Sequence, residues 1–235
     1  MTHEVPRLAL TSFLLLLAAC GGHIEHEAEA EDPAGPTVAK NDPAVASEAP
    51  GTLAPWSQYP AGPYGVDMKG QTFPRLKLSG YIGGEGGTWG TIDLIDFYDP
   101  TGERGICGVV VTVNIRWCPP SNVMASHLDD WYTRLYRPRG AKMLEILLQD
   151  KTATEPATQA TADYWIGKYH LGFDTAVDPE QTSMPRGGAS VPRTYVVNPR
   201  DMMIIRINAG FDPYAYDGIA GFRPVLDTNC PVWGP

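Results

Sequence analysis

One cysteine of the four in this 235-residue chain stands where a thiol can act as a nucleophile. Cys118 lies in Trp117-Cys118-Pro119-Pro120-Ser121, directly after an apolar β-branched run and directly before a helical pattern. A sulfur at the start of a helix meets backbone N–H groups that lack intrahelical partners and the positive end of the helix dipole. Both favour the thiolate, which is the form that attacks a disulfide. Ser121 offers a hydroxyl that can hydrogen-bond a thiolate but cannot close a disulfide, so the motif supports monothiol chemistry and excludes dithiol exchange within itself. His127 and His170 have no second cysteine to join, and the acids around His23 and His26 imply no defined geometry. No metal and no other cofactor is expected.

The remaining cysteines read differently. Arg7 precedes an apolar run of twelve residues, Leu8 to Ala19, too short to cross a bilayer core of about 30 Å. Residues 1–19 therefore read as a signal peptide. Leu17-Ala18-Ala19-Cys20 resembles the bacterial lipobox, in which the cysteine is acylated and becomes the mature N-terminus. Two or three acyl chains exceed the single-chain threshold for stable anchoring. Gly21 after the cysteine resembles the sorting pattern of outer-membrane lipoproteins in Gram-negative bacteria. These resemblances imply a cell-envelope protein held through the Cys20 lipid at the outer membrane, facing the periplasm.

Cys107 sits at the start of the strand that delivers Cys118, and at roughly 3.3 Å per residue the two lie on the order of 30 Å apart, far beyond disulfide reach. Cys107 therefore cannot close a disulfide with Cys118. Cys230, in a tail beyond the last strand, is free to run back to the bottom of the sheet, and a structural Cys107–Cys230 disulfide is expected at the end opposite Cys118. The rivals left open are a Cys118–Cys230 pair, with the tail cysteine as resolver, and two free thiols.

Composition narrows the function classes. Eighteen Lys+Arg against 27 Asp+Glu give a formal charge of −9, which argues against a nucleic-acid binder built on a basic surface. Residues 21–56 hold seven of the acids and a single base, Lys40. Residues 20–65 are acidic and Pro-rich with little that could form a core, and read as a disordered tether. About 40 such residues, at roughly 5–6 Å × √n, reach on the order of 35 Å. Residues 66–235 form the folded domain.

That domain must position Cys118, and its pattern alternates strand and helix. A β-rich lead-in, Phe73 to Ile82, is followed by a Gly-rich turn and a short segment Ile92 to Tyr98. Val109 to Ile115 is a buried-strand run. Met124, Leu128, Trp131/Tyr132 and Leu135 line one helical face, ending near Pro138 and Gly140. Met143 to Leu148 is a strand, and Thr154-Glu155-Pro156 opens a second helix that ends by Gly172. Arg193 to Val197 and Met202 to Ile207 form a hairpin about Asn198-Pro199-Arg200-Asp201. The order is β-α-β-α-β-β: an α/β domain with a mixed central sheet, parallel in its first part, flanked by helices.

With these elements in place, Trp117 to Ser121 resembles the Trp-Cys-Pro-Pro-Cys motif of thioredoxin-fold redoxins of the membrane-tethered extracytoplasmic type. Ser190 to Pro199, with Val191-Pro192 at its head, resembles the family's cis-proline followed by a strand and turn; Met203 to Gly210 and Asp178-Pro179 fit the same pattern. The resemblance covers about residues 66–212. It implies a thioredoxin-like fold, a cis Val191–Pro192 bond beside the sulfur, backbone groups there that hold an incoming chain, and Trp117 as a shield over the site. It also implies partners that are protein disulfides or mixed disulfides of the envelope, with an external thiol as reductant. The chain departs from the family in Ser121 for the resolving cysteine, in Met124 where tethered reductases carry a glutamate, and in Thr112 where thioredoxins proper carry a buried acid. Monothiol oxidoreductase or isomerase activity and a catalytically silent peptide-binding module are thus the competing expectations. A peroxidase is weaker, because Ile115 and Val111 occupy positions that peroxiredoxins need as threonine or serine and as proline.

Overall fold

The computed structural model describes residues 54–211 and 218–230; the signal peptide, Cys20 and the tether up to residue 53 lie outside them. Seven strands are present among the described residues: β1 (Lys77–Ile82), β2 (Thr88–Asp93), β3 (Gly108–Asn114), β4 (Ala141–Leu147), β5 (Asp174–Val177), β6 (Arg193–Asn198) and β7 (Met203–Ala209). They form one sheet in the order β2-β1-β5-β4-β3-β6-β7. β3, β4 and β5 run parallel, and β1, β2, β6 and β7 join antiparallel at the two sides. Three α-helices accompany them: α1 (Pro119–Trp131), α2 (Gln159–Tyr169) and α3 (Phe222–Asn229).

The sequence of β3, Gly-Val-Val-Val-Thr-Val-Asn, is buried along its whole length, as a central parallel strand must be. Successive crossovers β3-α1-β4 and β4-α2-β5 step outward in one direction. Because such crossovers are right-handed, both helices lie on one face. Met124 and Leu128 of α1, Trp165 of α2 and Phe222 and Leu226 of α3 share a buried cluster on that face. The opposite face is covered by segments without an α-helix: Phe73, Leu94, Phe97, Tyr98 and Met184 pack there with Val111, Val113 and Tyr195.

Residues 54–65 also touch the domain. Trp56 and Tyr59 pack against that second cluster, the Tyr59 hydroxyl donates to the Phe73 carbonyl at 2.9 Å, and Tyr64 bridges Thr72.

Several boundaries differ from the expectation. Pro156 does not open α2; it bridges Gln149, and the helix starts at Gln159 behind a reciprocal Thr158–Thr161 capping box. Thr161 does there what a Glu or Gln usually does. The segment expected over Ile92 to Tyr98 divides into the end of β2 and a short 3-10 turn over Leu94–Phe97. β5 and α3 go beyond the expected β-α-β-α-β-β series. The region expected to be a loose tail contains α3, which approaches β3 at Gly108, where a Cβ would stand 2.6 Å from the Phe222 ring.

Candidate active site around Cys118

β3 ends at Asn114, and the chain passes through Ile115, Arg116 and Trp117 before Cys118 caps α1. Pro119 and Pro120 fix φ for the first helical turn. They also remove two of the N–H groups that would otherwise converge on the sulfur, so Ser121 is the first residue of the helix with an N–H to offer. Asn122 fixes the turn from below. Its Nδ2 donates to the carbonyls of Arg116 (2.8 Å) and Cys118 (2.9 Å), while its Oδ1 accepts from Lys168 (2.9 Å) and Tyr169 (2.6 Å) of α2.

The Val191–Pro192 peptide bond is cis. The Cys118 thiol donates to the Val191 carbonyl oxygen at 3.8 Å. Cys118 is completely buried and shares its cluster with Ile115, Met184, Val191 and Tyr195. Trp117 packs against the same cluster and donates from its indole to Gln149 Oε1 at 3.0 Å. Ser121 is equally buried, and its hydroxyl oxygen accepts the Ile115 N–H at 3.4 Å. Trp117, Cys118, Ser121, Val191 and Pro192, distant in sequence, are thus gathered at one end of β3. A partner disulfide can reach the sulfur only if covering side chains move aside.

Cys107 and Cys230 lie at the other end of β3, joined to each other by a disulfide with Cα atoms 5.4 Å apart. Of the pairings left open by the sequence, this is the one present. Gly140 makes room for it: its φ is +72°, and a Cβ there would stand 2.7 Å from the Cys107 sulfur.

Neither histidine faces Cys118 in any described contact. His127 stacks on Trp131 and Phe211, and His170 pairs with Glu85 at the end of α2. Among the described residues no group of three His, Cys, Asp or Glu stands close enough to hold a metal ion.

Glu145 was not anticipated. It is the register partner of Thr112 across β3 and β4, and it is completely buried in the layer between the sheet and the helices. Asn114 Nδ2 (2.8 Å) and the Trp165 indole (3.1 Å) donate to Oε1, and the Thr112 hydroxyl lies against Oε2. No cation pairs with it among the described residues. Burial pushes its carboxyl up to about 8, against the opposing pull of those three donors. A neutral acid suits the arrangement: Oε2–H would donate to Thr112, whose hydroxyl is then left for the Leu144 carbonyl 3.3 Å away. The buried carboxyl missing from Thr112 therefore has a counterpart in the same layer, one strand over. Its signal in the sequence was one acid in the middle of the apolar run Met143 to Leu148.

No protein-family model matches the chain, and no curated protein is significantly similar to it. Solved structures are. An uncharacterized conserved protein from Geobacillus kaustophilus superposes with a TM-score of 0.54 at 16% identity, over 71% of this chain and 86% of that one. A hypothetical protein from Sinorhizobium meliloti 1021 gives 0.52 at 18%, over 71% and 88%. The fold is thioredoxin-like. A secreted thiol-disulfide isomerase from Corynebacterium glutamicum overlaps more loosely, with a TM-score of 0.47 at 17% identity over 76% of this chain and 93% of that one.

Proposed function

We propose that this chain is a lipid-anchored thiol–disulfide oxidoreductase or isomerase of the cell envelope that works through Cys118 alone. The observation that carries the reading is the meeting of Cys118, at the head of α1, with the carbonyl of Val191 beside cis-Pro192. An extended chain laid beside Pro192 would bring a disulfide to the sulfur. The Cys118 thiolate would attack one substrate sulfur, forming a mixed disulfide and releasing the other sulfur as a thiol. A thiol of the same substrate, or an external reductant, would then take the bound sulfur and return Cys118 to its reduced form. Cys107 and Cys230 are bonded to each other, so the second thiol comes from outside the chain.

A second reading is supported by the complete burial of Cys118: a module that binds extended peptide without chemistry. The rate of Cys118 alkylation by iodoacetamide across pH, in the full mature chain with Cys118→Ala as background, separates the two. The enzyme reading expects Cys118 at pH 7 to react faster than cysteine in a short peptide. A rate at or below that of the peptide overturns it.

A further inference from the structure

A groove of about 450 Å³ opens where β7 meets the segment before β1, lined by Met68, Lys69, Arg193, Ile205, Arg206 and Ile207. Arg193 is the unusual member. It is only 8% exposed, yet no ion pair joins it to a carboxylate among the described residues. Its Nε donates to the Tyr195 hydroxyl at 2.8 Å, and its guanidinium carbon lies 5.3 Å from the centre of that ring. The Tyr195 hydroxyl donates in turn to the Ser183 carbonyl. These contacts orient the guanidinium without neutralising it, and a buried unneutralised charge is costly to keep. Lys69 is exposed on the same groove, whose single lining carboxylate is Asp67; Arg206 also lines it, but its guanidinium turns away to Asn208 and Gly221. The groove is locally basic in a chain whose formal charge is −9.

Its position gives that charge a use. Arg193 follows Pro192 directly, and Val191 touches Cys118. Two residues of strand, at roughly 3.3 Å each, carry the chain only about 7 Å from Val191 to Arg193. We infer that this groove selects acidic polypeptide substrates, holding an aspartate or glutamate side chain against Arg193 while a cysteine of the same extended chain lies at Cys118. A planar guanidinium can take a carboxylate through two parallel N–H donors, and Ile205, Ile207 and Met68 supply apolar wall for the intervening residues. This inference rests on the thiol chemistry proposed above for its consequence, but not for the binding itself.

The test uses the full chain in detergent with peptides carrying Glu, Gln or Lys two positions either side of one cysteine, each activated as a mixed disulfide. The Glu peptide is expected to react about tenfold faster than the Gln peptide, the size of one charge-assisted hydrogen bond, with Lys slowest. In Arg193→Gln the Glu-to-Gln ratio should fall to about one. Because Arg193 also supports Tyr195, Lys69→Glu on the exposed rim serves as a second variant and should at least halve the ratio. A ratio of one in the unaltered protein, or a ratio untouched by both substitutions, overturns the inference. Binding of serine-for-cysteine versions of the peptides, read by fluorescence anisotropy, needs no redox step. The same charge order there supports the groove even if Cys118 proves unreactive towards the uncharged probe dithiodipyridine, which would count against the thiol chemistry alone. No charge order in that binding overturns the groove.

Discussion

Glu145 carries a pH dependence that an exposed glutamate would not. Burial holds its carboxyl at about 8 in the folded chain, against about 4.3 when unfolded. Between those values the folded state keeps a proton that the unfolded state has lost. Stability is therefore full below the unfolded value, declines as pH rises toward 8, and levels off above it. At roughly 1.4 kcal/mol per unit, the loss from this one side chain is on the order of a few kcal/mol. Glu145→Gln keeps an oxygen for Asn114 and Trp165 and an N–H for Thr112, and it cannot ionise. The variant should match the parent at pH 5 and exceed it at pH 9 in urea unfolding; equal pH slopes in the two proteins would show that Glu145 does not titrate there. At this scale the sequence was partly legible. The position of Cys118 could be read from the chain, because a strand running into a Pro-Pro helix start is local. Its complete burial could not, since Met184 and Val191 arrive from more than 60 residues away.

The helix α3 and its disulfide stand or fall together. Asn229 donates to the Cys107 carbonyl at 2.9 Å, Phe222 and Leu226 fill the hollow above Gly108, and Cys230 closes the bond one residue later. Changing Cys107 and Cys230 together to serine should cost about 2–5 kcal/mol, measured by thermal or urea unfolding. The alkylation rate of Cys118 should hardly change, because the length of β3 separates the two ends. A large change in that rate would mean that the ends communicate through the strand. Continuous apolar runs mark β3 and β4, a helical period marks α1, and the turn residues Asn198 to Asp201 mark the β6–β7 hairpin. β5 has only four residues, Asp174–Val177, too few for a period to register. α3 holds Pro224 in its first turn, where a proline is tolerated; read locally, it looks like a breaker. The start of α2 differs from its sequence signal for the opposite reason: Glu155-Pro156 has the chemistry of a helix start, but Pro156 bridges Gln149 and the helix begins at Gln159.

For the molecule as a whole, the domain and its proposed anchor make separable demands. Leu17 to Cys20 bears the anchoring proposal. Cys20→Ala should leave the domain folded and either release it in soluble form or leave the precursor uncut. A processed Cys20→Ala protein that still sediments with membranes would defeat that part of the proposal. The first residues of the domain, ahead of β1, do not simply trail from the sheet. Gly70 donates to the Ile204 carbonyl at 2.9 Å and Ile204 to that of Gln71 at 2.8 Å, so the chain is fastened along the start of β7 before it reaches β1.

The bond between Cys107 and Cys230 spans 123 residues and makes the molecule asymmetric towards proteolysis. β3 to β7, α1 to α3 and Cys118 all lie inside the covalent ring, whereas β1, β2 and the segment leading back to the proposed anchor lie outside it. A protease that nicks the exposed Arg186–Gly188 stretch leaves two pieces that travel together until they are reduced. A single cut between Gly65 and Arg75 has the opposite result: in the anchored form proposed here it sheds the whole thiol-bearing sheet into solution. If that anchor is present, a single scission changes where the thiol resides only when it falls N-terminal to Cys107.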